Sequence, residues 1–278
     1  LRDTPQSISV IPDNVFNAQG AQTLTDVFRN SPGITFNAGE NGFSSALSNF
    51  SLRGIDTTGN VFIDGSRDSG NYFRDVFNVE QVEIVKGPSG DNGRGGAGGY
   101  VNLATKGARA ENFQRATVSY GVNEYSSADT IRSTVDVNQQ MDSGVALRLN
   151  ALWQDGAGMA GRLYAEKSAW GVAPAIVVGL GGPTRVYASL QILEQNDRPD
   201  WGVPAAQIEG MLNYNSSARG EENRSRFYGH LSDYDDVGAD SALVRVEHDV
   251  SQSVRISNQT RWSSTEREAL YTVPTGYS

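Results

Sequence analysis

The second half of the chain alternates apolar and polar side chains with a period of two, which predicts strands with two unlike faces. In the segment 145–154 one face is apolar and the other is polar: the first carries Val145, Leu147, Leu149, Ala151 and Trp153, and the second carries Arg148, Asn150 and Gln154. The alternation recurs in six further segments, at 115–120, 131–138, 170–180, 185–194, 242–248 and 254–262. We therefore expect a large antiparallel sheet, which occurs both in soluble β-sandwiches and in membrane barrels.

The connections between these strands favour the barrel. Three are tight turns, at 141–144, 181–184 and 250–253, whereas 155–167 and 196–238 are long. Short turns at one end and long loops at the other are typical of outer-membrane barrels. Aromatic residues near strand ends fit interfacial girdles, or else ordinary core positions: Tyr120, Trp153, Trp170 and Trp262. The acidic residues Asp233, Asp235 and Asp236 are assigned to the long loop as a solvated cluster, with a site for a hard cation as the less favoured alternative.

The first part of the chain has shorter and less regular segments. A strand is expected at 7–11, and Thr23 followed by Asp26 predicts the start of a helix that ends before Pro32. Short strands are predicted at 50–53, 61–63, 82–85 and 100–104, separated by glycine-containing turns. The sequence thus predicts a small mixed α/β domain at 1–106, a linker at 107–112 and the long strands at 113–278.

Composition excludes several functional classes. The net charge of −9 argues against a nucleic-acid binder. The chain has no cysteine and only two histidines, His230 and His248, so thiolate sites are excluded and a two-histidine metal site is disfavoured. No apolar run is long enough for a membrane-spanning helix, while a mean hydropathy of −0.43 is compatible with spanning strands.

No catalytic site emerges from the residues. Gly93, Gly95 and Gly98 match the spacing of a dinucleotide-binding fingerprint, but the following YVNLAT is typical of a strand rather than the required helix. No serine, histidine and carboxylate arrangement and no pair of carboxylates suggests acid–base chemistry. The chain is therefore not expected to be an enzyme.

Several segments, in this order, resemble the TonB-dependent outer-membrane receptors, and most closely those of the catecholate siderophore group. The match rests on TPQSISVI at 4–11, LTDVFRNSPGI at 24–34, LRGI at 52–55, FIDG at 62–65, VEIVKGPSG at 82–90, GRGGAGGYVNLATK at 93–106 and DRPDWGVP at 197–204. The run RDSGNYFRDVFN at 67–78 is most similar to the catecholate type.

The resemblance implies an α+β plug domain inside an antiparallel transmembrane β-barrel of about 22 strands. Seven or eight strands are visible in this sequence, and the TonB box expected upstream of Thr4 is missing, so the chain is interpreted as part of a longer receptor. It begins at Leu1 without a leader pattern, and any signal peptide is expected to have been removed.

The function implied by the resemblance is import of a ferric siderophore across the outer membrane, energised by the TonB complex. The partners are then the ferric siderophore, TonB and outer-membrane lipid, with no nucleic acid and no cofactor, since iron travels within its ligand. Two alternatives stay open: the same fold importing cobalamin, haem or a glycan, and a soluble β-rich adhesin or enzyme.

Two sets of residues are predicted to carry this function. An anionic ferric catecholate would be met by aromatic rings and guanidinium groups in exposed turns and the long loop, at Asn41, Phe43, Arg67, Tyr72, Phe73, Arg74, Arg198, Trp201 and Tyr214. By resemblance to the family, basic plug residues are expected to contact the barrel wall, at Arg53, Lys86 and Arg94.

Overall fold

The computed structural model describes residues 7–36, 49–88, 97–123, 129–142, 144–158, 163–200, 202 and 226–272. Five of the predicted site residues lie outside the described residues: Asn41, Phe43, Arg94, Trp201 and Tyr214.

The N-terminal domain, called the plug below, contains two short helices and eight strands in the described ranges. They are, in chain order, β1 (Ser7–Pro12), α1 (Asp13–Ala18), α2 (Leu24–Phe28), β2 (Ile34–Phe36), β3 (Phe50–Leu52), β4 (Ile55–Asp56), β5 (Val61–Ile63), β6 (Ser66–Arg67), β7 (Val79–Lys86) and β8 (Gly99–Thr105). One sheet has the order β1-β7-β8-β5-β6, with a parallel pair between β5 and β8, and a smaller sheet has the order β2-β3-β4. The mixed α/β domain predicted from the sequence is confirmed.

Helix α2 begins where the sequence predicts. The backbone N–H of Asp26 donates to the Thr23 hydroxyl at 3.3 Å, and the Asp26 carboxylate accepts from the backbone N–H of Thr23 at 3.0 Å, which forms a capping box. Helix α1 was not predicted, because its six residues are too few for a periodic pattern and no side chain caps it.

Replacing Thr23 with alanine is expected to destabilise the plug by about 1 kcal/mol, since the start of α2 loses its side-chain cap. Urea unfolding of the full-length receptor would measure this change. Thr23→Ser is the matched control because it keeps the hydroxyl, and an equal loss in both variants would contradict the capping role.

The plug core lies between its larger sheet and the two helices. Phe16 from α1 and Leu24, Val27 and Phe28 from α2 are fully or almost fully buried. They pack against buried side chains of the strands, at Phe50, Leu52, Val61, Val82, Ile84, Val101 and Leu103. Burial of this cluster is what holds together a domain whose individual strands are mostly short.

The rest of the described chain forms one seven-stranded antiparallel sheet, called the wall. Its strands are β9 (Phe113–Gly121), β10 (Thr130–Asp142), β11 (Val145–Asp155), β12 (Glu166–Val178), β13 (Thr184–Arg198), β14 (Tyr234–Asp249) and β15 (Arg255–Leu270). Each strand pairs with its neighbours in sequence, so β9 and β15 are the edges and the wall is an open arc among the described residues.

The two faces of the wall have the polarity of a membrane protein. On β11, Leu147, Leu149 and Trp153 are 41%, 46% and 49% exposed, whereas Arg148 and Asn150 on the other face are 2% and 0% exposed. A soluble sandwich would bury the apolar face and expose the charged one. Here the apolar face points away from the protein, as expected for a surface that meets lipid, and the plug covers the polar face.

The connections confirm the predicted alternation in length. The tight turns join β10 to β11, β12 to β13 and β14 to β15 at one end, called the turn end, and the longer connections lie at the other, called the loop end. The limits predicted for the longest loop were wrong, because β13 continues to Arg198 and β14 already begins at Tyr234. Asp235 lies on β14 and binds Arg267 through two bonds of 2.6 and 2.8 Å, so cross-strand pairing offsets the poor strand propensity of aspartate.

None of the helices in the described ranges is long and apolar enough to cross a membrane.

Candidate functional site

The plug contacts the wall mainly through the segment from Asp64 to Arg109, and two aromatic side chains of this segment pack directly on the polar face. Tyr72 and Phe77 are 5% and 6% exposed and belong to one cluster with wall residues near the loop end. The wall members are small or aliphatic: Leu152, Ala169, Ala173, Leu193, Val237 and Ala239. Plug aromatics thus cover an apolar area on the otherwise polar face of the wall.

Gly171 on β12 lets Phe77 approach the wall closely. A Cβ atom added to Gly171 would lie 2.9 Å from Cζ of Phe77, which is too close for a real contact. The glycine therefore provides the space into which the Phe77 ring packs.

A buried ion pair joins the plug to β10 near the loop end. Nη1 and Nη2 of Arg132 donate to the two carboxylate oxygens of Asp75 at 2.7 and 2.8 Å, and Nη1 also donates to Gln154 at 2.7 Å. The side chains of Arg132 and Asp75 are 7% and 3% exposed. A bidentate pair of this kind fixes both the position and the orientation of the plug carboxylate against the wall guanidinium.

A second charge network lies closer to the turn end. Arg148 on β11 donates to both oxygens of Asp136 at 2.8 Å and to Glu80 of the plug, also at 2.8 Å. Lys106 lies 3.2 Å from Asp136 and donates to the carbonyl of Phe77 at 2.8 Å. Burial lowers the pKa of Lys106, and the attraction of Asp136 opposes that shift. One wall carboxylate thus balances two cations, one from each domain.

Two of the predicted ligand residues are engaged inside the plug. Nε of Arg74 binds the Asp68 carboxylate at 2.9 Å, and the Tyr72 hydroxyl donates to the same carboxylate at 3.1 Å. Burial and the nearby Asp68 charge raise the pKa of Tyr72 far above its ordinary value. Asp68 thus pairs with Arg74 inside the plug, whereas Asp75, which follows Arg74 in the chain, binds Arg132 of the wall.

Arg67 and Arg198 are likewise engaged by partners of their own. Arg67 donates to the backbone carbonyl of Gly59 and to Asn60 at 3.0 Å, and its guanidinium lies over the Phe62 ring. Arg198 lies at the loop end of β13 and pairs with Glu166 across the sheet at 2.9 Å. Each of the described cations in the predicted set, Arg67, Arg74 and Arg198, is thus engaged by its own partners.

Phe73 has a different environment from its neighbours. Nζ of Lys167 on β12 lies 4.9 Å from the centre of the Phe73 ring, and the Phe73 carbonyl accepts a hydrogen bond from Gln195 at 3.0 Å. Lys167 also lines a cavity that opens at the loop end. Lys167 and Gln195 were not predicted from the sequence, although both occupy polar-face positions of alternating strands.

The predicted wall contacts Arg53 and Lys86 point elsewhere within the described chain. Lys86 donates to the carbonyl of Pro32 at 2.6 Å, and Arg53 is an exposed turn residue with a φ of 52°. The role expected for them by resemblance stays a prediction. The ion pairs that the structure does show between plug and wall use other plug residues: Asp13, Asp75, Glu80 and Lys106.

No group of three or more histidine and carboxylate side chains in the described residues could hold a metal ion.

Comparisons with known proteins agree with this architecture. The family model described as the TonB-dependent Receptor Plug Domain matches residues 1–100. The catecholate siderophore receptor Fiu of Escherichia coli (strain K12) is 39% identical over 287 aligned residues, which cover 99% of this chain and 36% of Fiu.

Solved structures extend the similarity to the wall. The closed form of the ferric-catecholate import receptor Fiu from E. coli K12 has a TM-score of 0.86 at 39% identity and covers 97% of this chain and 38% of that one. The siderophore receptor PiuA from Acinetobacter baumannii has a TM-score of 0.85 at 30% identity and covers 98% and 38%.

This chain spans little more than a third of these relatives. The plug motifs, the seated plug and the inverted polarity of the wall agree with the whole-chain similarity. The chain belongs to the TonB-dependent receptors of the outer membrane, of which it comprises the plug domain and seven described strands of the barrel wall.

Proposed function

We propose that the full-length receptor binds an anionic ferric siderophore at the loop end of its barrel and moves it into the periplasm. The observation that carries the proposal is a plug seated against the polar face of a wall whose apolar face is exposed. Such a plug closes the lumen, so a cargo can pass only if the plug shifts. The long loops of bacterial outer-membrane barrels lie on the extracellular side, so we place capture of the cargo at the loop end.

The relatives support the class of cargo. Fiu is described as a catecholate siderophore receptor and as a ferric-catecholate importer, and PiuA as a siderophore receptor. The whole-chain identity with Fiu makes a ferric catecholate the first cargo to test.

The receptor supplies recognition and a gate and performs no chemistry on its cargo. TonB-dependent receptors are not an enzyme family. The energy for moving the plug comes, in this proposal, from the TonB complex at the inner side, and iron enters as part of the ferric siderophore rather than as a cofactor.

We place a contact for the anionic ligand at Lys167 and Phe73. Lys167 lines the cavity at the loop end, and its ammonium group lies over the Phe73 ring. A cation beside an aromatic face suits a negatively charged aromatic ligand. Arg67, Tyr72, Arg74 and Arg198 remain predicted contacts, although the bonds described above already engage their polar groups.

Replacing Lys167 with glutamine is expected to weaken binding of a ferric catecholate about tenfold, because one charge-assisted contact is lost. Equilibrium binding to the purified full-length receptor would measure the effect. Lys86→Gln is the matched control, since it removes the same charge from a half-buried plug site that does not line the loop-end cavity. Equal affinities of the Lys167 and Lys86 variants would refute the contact while leaving the proposed cargo intact.

The alternative cargoes are tested in the same assay. Tight binding of cobalamin, haem or a glycan, with no binding of a ferric catecholate, would show that the fold is shared and the cargo is different. A soluble adhesin or enzyme is contradicted by the wall, whose exposed face is apolar and whose covered face is charged.

A further inference from the structure

A gap separates the helical side of the plug, residues 13–30, from strands β9–β12 of the wall. It consists of an outer cavity of about 730 Å³ near the loop end and an inner cavity of about 600 Å³ closer to the turn end. The two cavities share lining residues, including Gln22 of the plug and Ser119 and Arg132 of the wall. They are therefore adjacent sections of one passage with Arg132 at their junction.

The opposite side of the plug is attached to the wall along its height. Asn78 donates to Gln191 at 2.9 Å, the Phe73 carbonyl accepts from Gln195, and the Asp64 carbonyl accepts from Gln259 at 2.6 Å. Tyr72 and Phe77 add apolar packing on this side. Movement of the helical side thus disturbs fewer of these contacts than movement of the whole plug.

The wall of the passage carries cations at two levels. Ser119 lies opposite Arg132, Thr117 opposite Thr134, and Arg115 opposite Asp136, so three alternate rungs of β9 and β10 face the gap. Four residues along an antiparallel strand correspond to about 14 Å. Arg132 and Arg115 are thus about 14 Å apart along the wall, with a neutral threonine rung between them.

Both wall cations are paired with carboxylates of the plug, although only Arg132 is buried and the Arg115 side chain is 56% exposed. Asp75 binds Arg132 at 2.7 Å, and Asp13 lies 3.5 Å from Arg115. Thr23 next to α2 also forms a bridge with Asp75, which couples that carboxylate to the helical side of the plug. A shift of this side therefore widens the gap and separates Asp13 from Arg115. The pair of Asp75 and Arg132 breaks only when the plug moves further, because Asp75 lies between the anchored Phe73 and Phe77.

We infer that an anionic cargo crosses the barrel through the gap between residues 13–30 and strands β9–β10, and that displacement of the plug frees Arg132 and Arg115 from their plug carboxylates so that the cargo can pair with them. While the plug is seated, Asp75 pairs with Arg132 and Asp13 pairs with Arg115, which neutralises both cations. When the plug moves, the cargo replaces these carboxylates in turn. The inference rests on the proposed function, because it requires an anionic cargo that is imported.

A cysteine at Thr117 provides the test, since it faces the passage between the two cationic rungs. This chain contains no cysteine, so Thr117→Cys introduces its only thiol, and any cysteine elsewhere in the full-length receptor is removed. The receptor folds and inserts first and is then modified in energised cells with a bulky maleimide. Modification is expected to reduce ferric catecholate uptake at least tenfold while leaving its binding affinity unchanged.

Val118→Cys is the matched control, because the adjacent residue lies on the apolar face, and its modification is expected to leave uptake unchanged. Unchanged uptake after modification of the Thr117→Cys variant, or a thiol at that position that the maleimide does not reach, would overturn the passage. If the unmodified receptor neither binds nor imports a ferric catecholate, the proposed function itself is wrong, and the passage is refuted with it.

Discussion

Replacing Arg148 with methionine is expected to destabilise the seated plug by about 3–5 kcal/mol, because it leaves the buried Asp136 and the half-buried Glu80 without their shared partner. The Arg148 side chain is 1% exposed, and its guanidinium joins a wall carboxylate to a plug carboxylate. Lys106 would remain beside Asp136 but cannot reproduce the bidentate geometry. Urea titration of the full-length receptor with a fluorophore on the plug would measure the loss.

The control for Arg148 is Arg29→Met, which makes the same substitution at an exposed ion pair. Arg29 is 64% exposed and lies 3.4 Å from Asp26, so its loss is expected to cost no more than about 1 kcal/mol. Similar effects of the two substitutions would show that the Arg148 network does not hold the plug in place.

Replacing Phe77 with alanine is expected to cost about 3–5 kcal/mol, since it leaves a cavity between the plug and the wall. The ring is buried in a cluster with wall residues, so the loss should appear in the plug transition and leave the assembled barrel in place. The same urea titration would report both transitions.

Gly171 provides a second variant that tests the same contact. In the wild-type background Gly171→Ala is expected to cost about 1–3 kcal/mol, because its methyl group meets the Phe77 ring. In the Phe77→Ala background the ring is gone and the cost should largely disappear, which a double-mutant cycle detects. Additive effects would mean that the two residues do not touch.

Much of the local structure could be predicted from the sequence. The alternation in 145–154 predicted β11 and its two faces, because side chains on a strand alternate by geometry alone. The Thr23 and Asp26 pair predicted the start of α2, since capping depends on residues three apart. The end of the loop before β14 was less predictable, because Asp235 joins the strand through its bonds to Arg267, which is 32 positions away in the chain.

The candidate site could be predicted only in part, and the reason lies in sequence separation. The pattern showed that Arg148 lies on a polar face, but its plug partner Glu80 is 68 positions away, and Arg132 is 57 positions from Asp75. Arg74 was predicted to meet a ligand from its aromatic neighbours, yet it binds Asp68 inside the plug. A charged residue in a sequence does not indicate which opposite charge will reach it.

The sequence by itself determined the strands, their two faces, the helix cap and the membership of the plug family, since each depends on neighbouring residues or on ordered motifs. Only the tertiary structure decided which face of the wall is covered, which carboxylates hold Arg132 and Arg148, and where a gap remains beside the plug. These features arise from packing the plug against strands that are distant in the chain, and the residues that meet there carry no local pattern that marks them as partners.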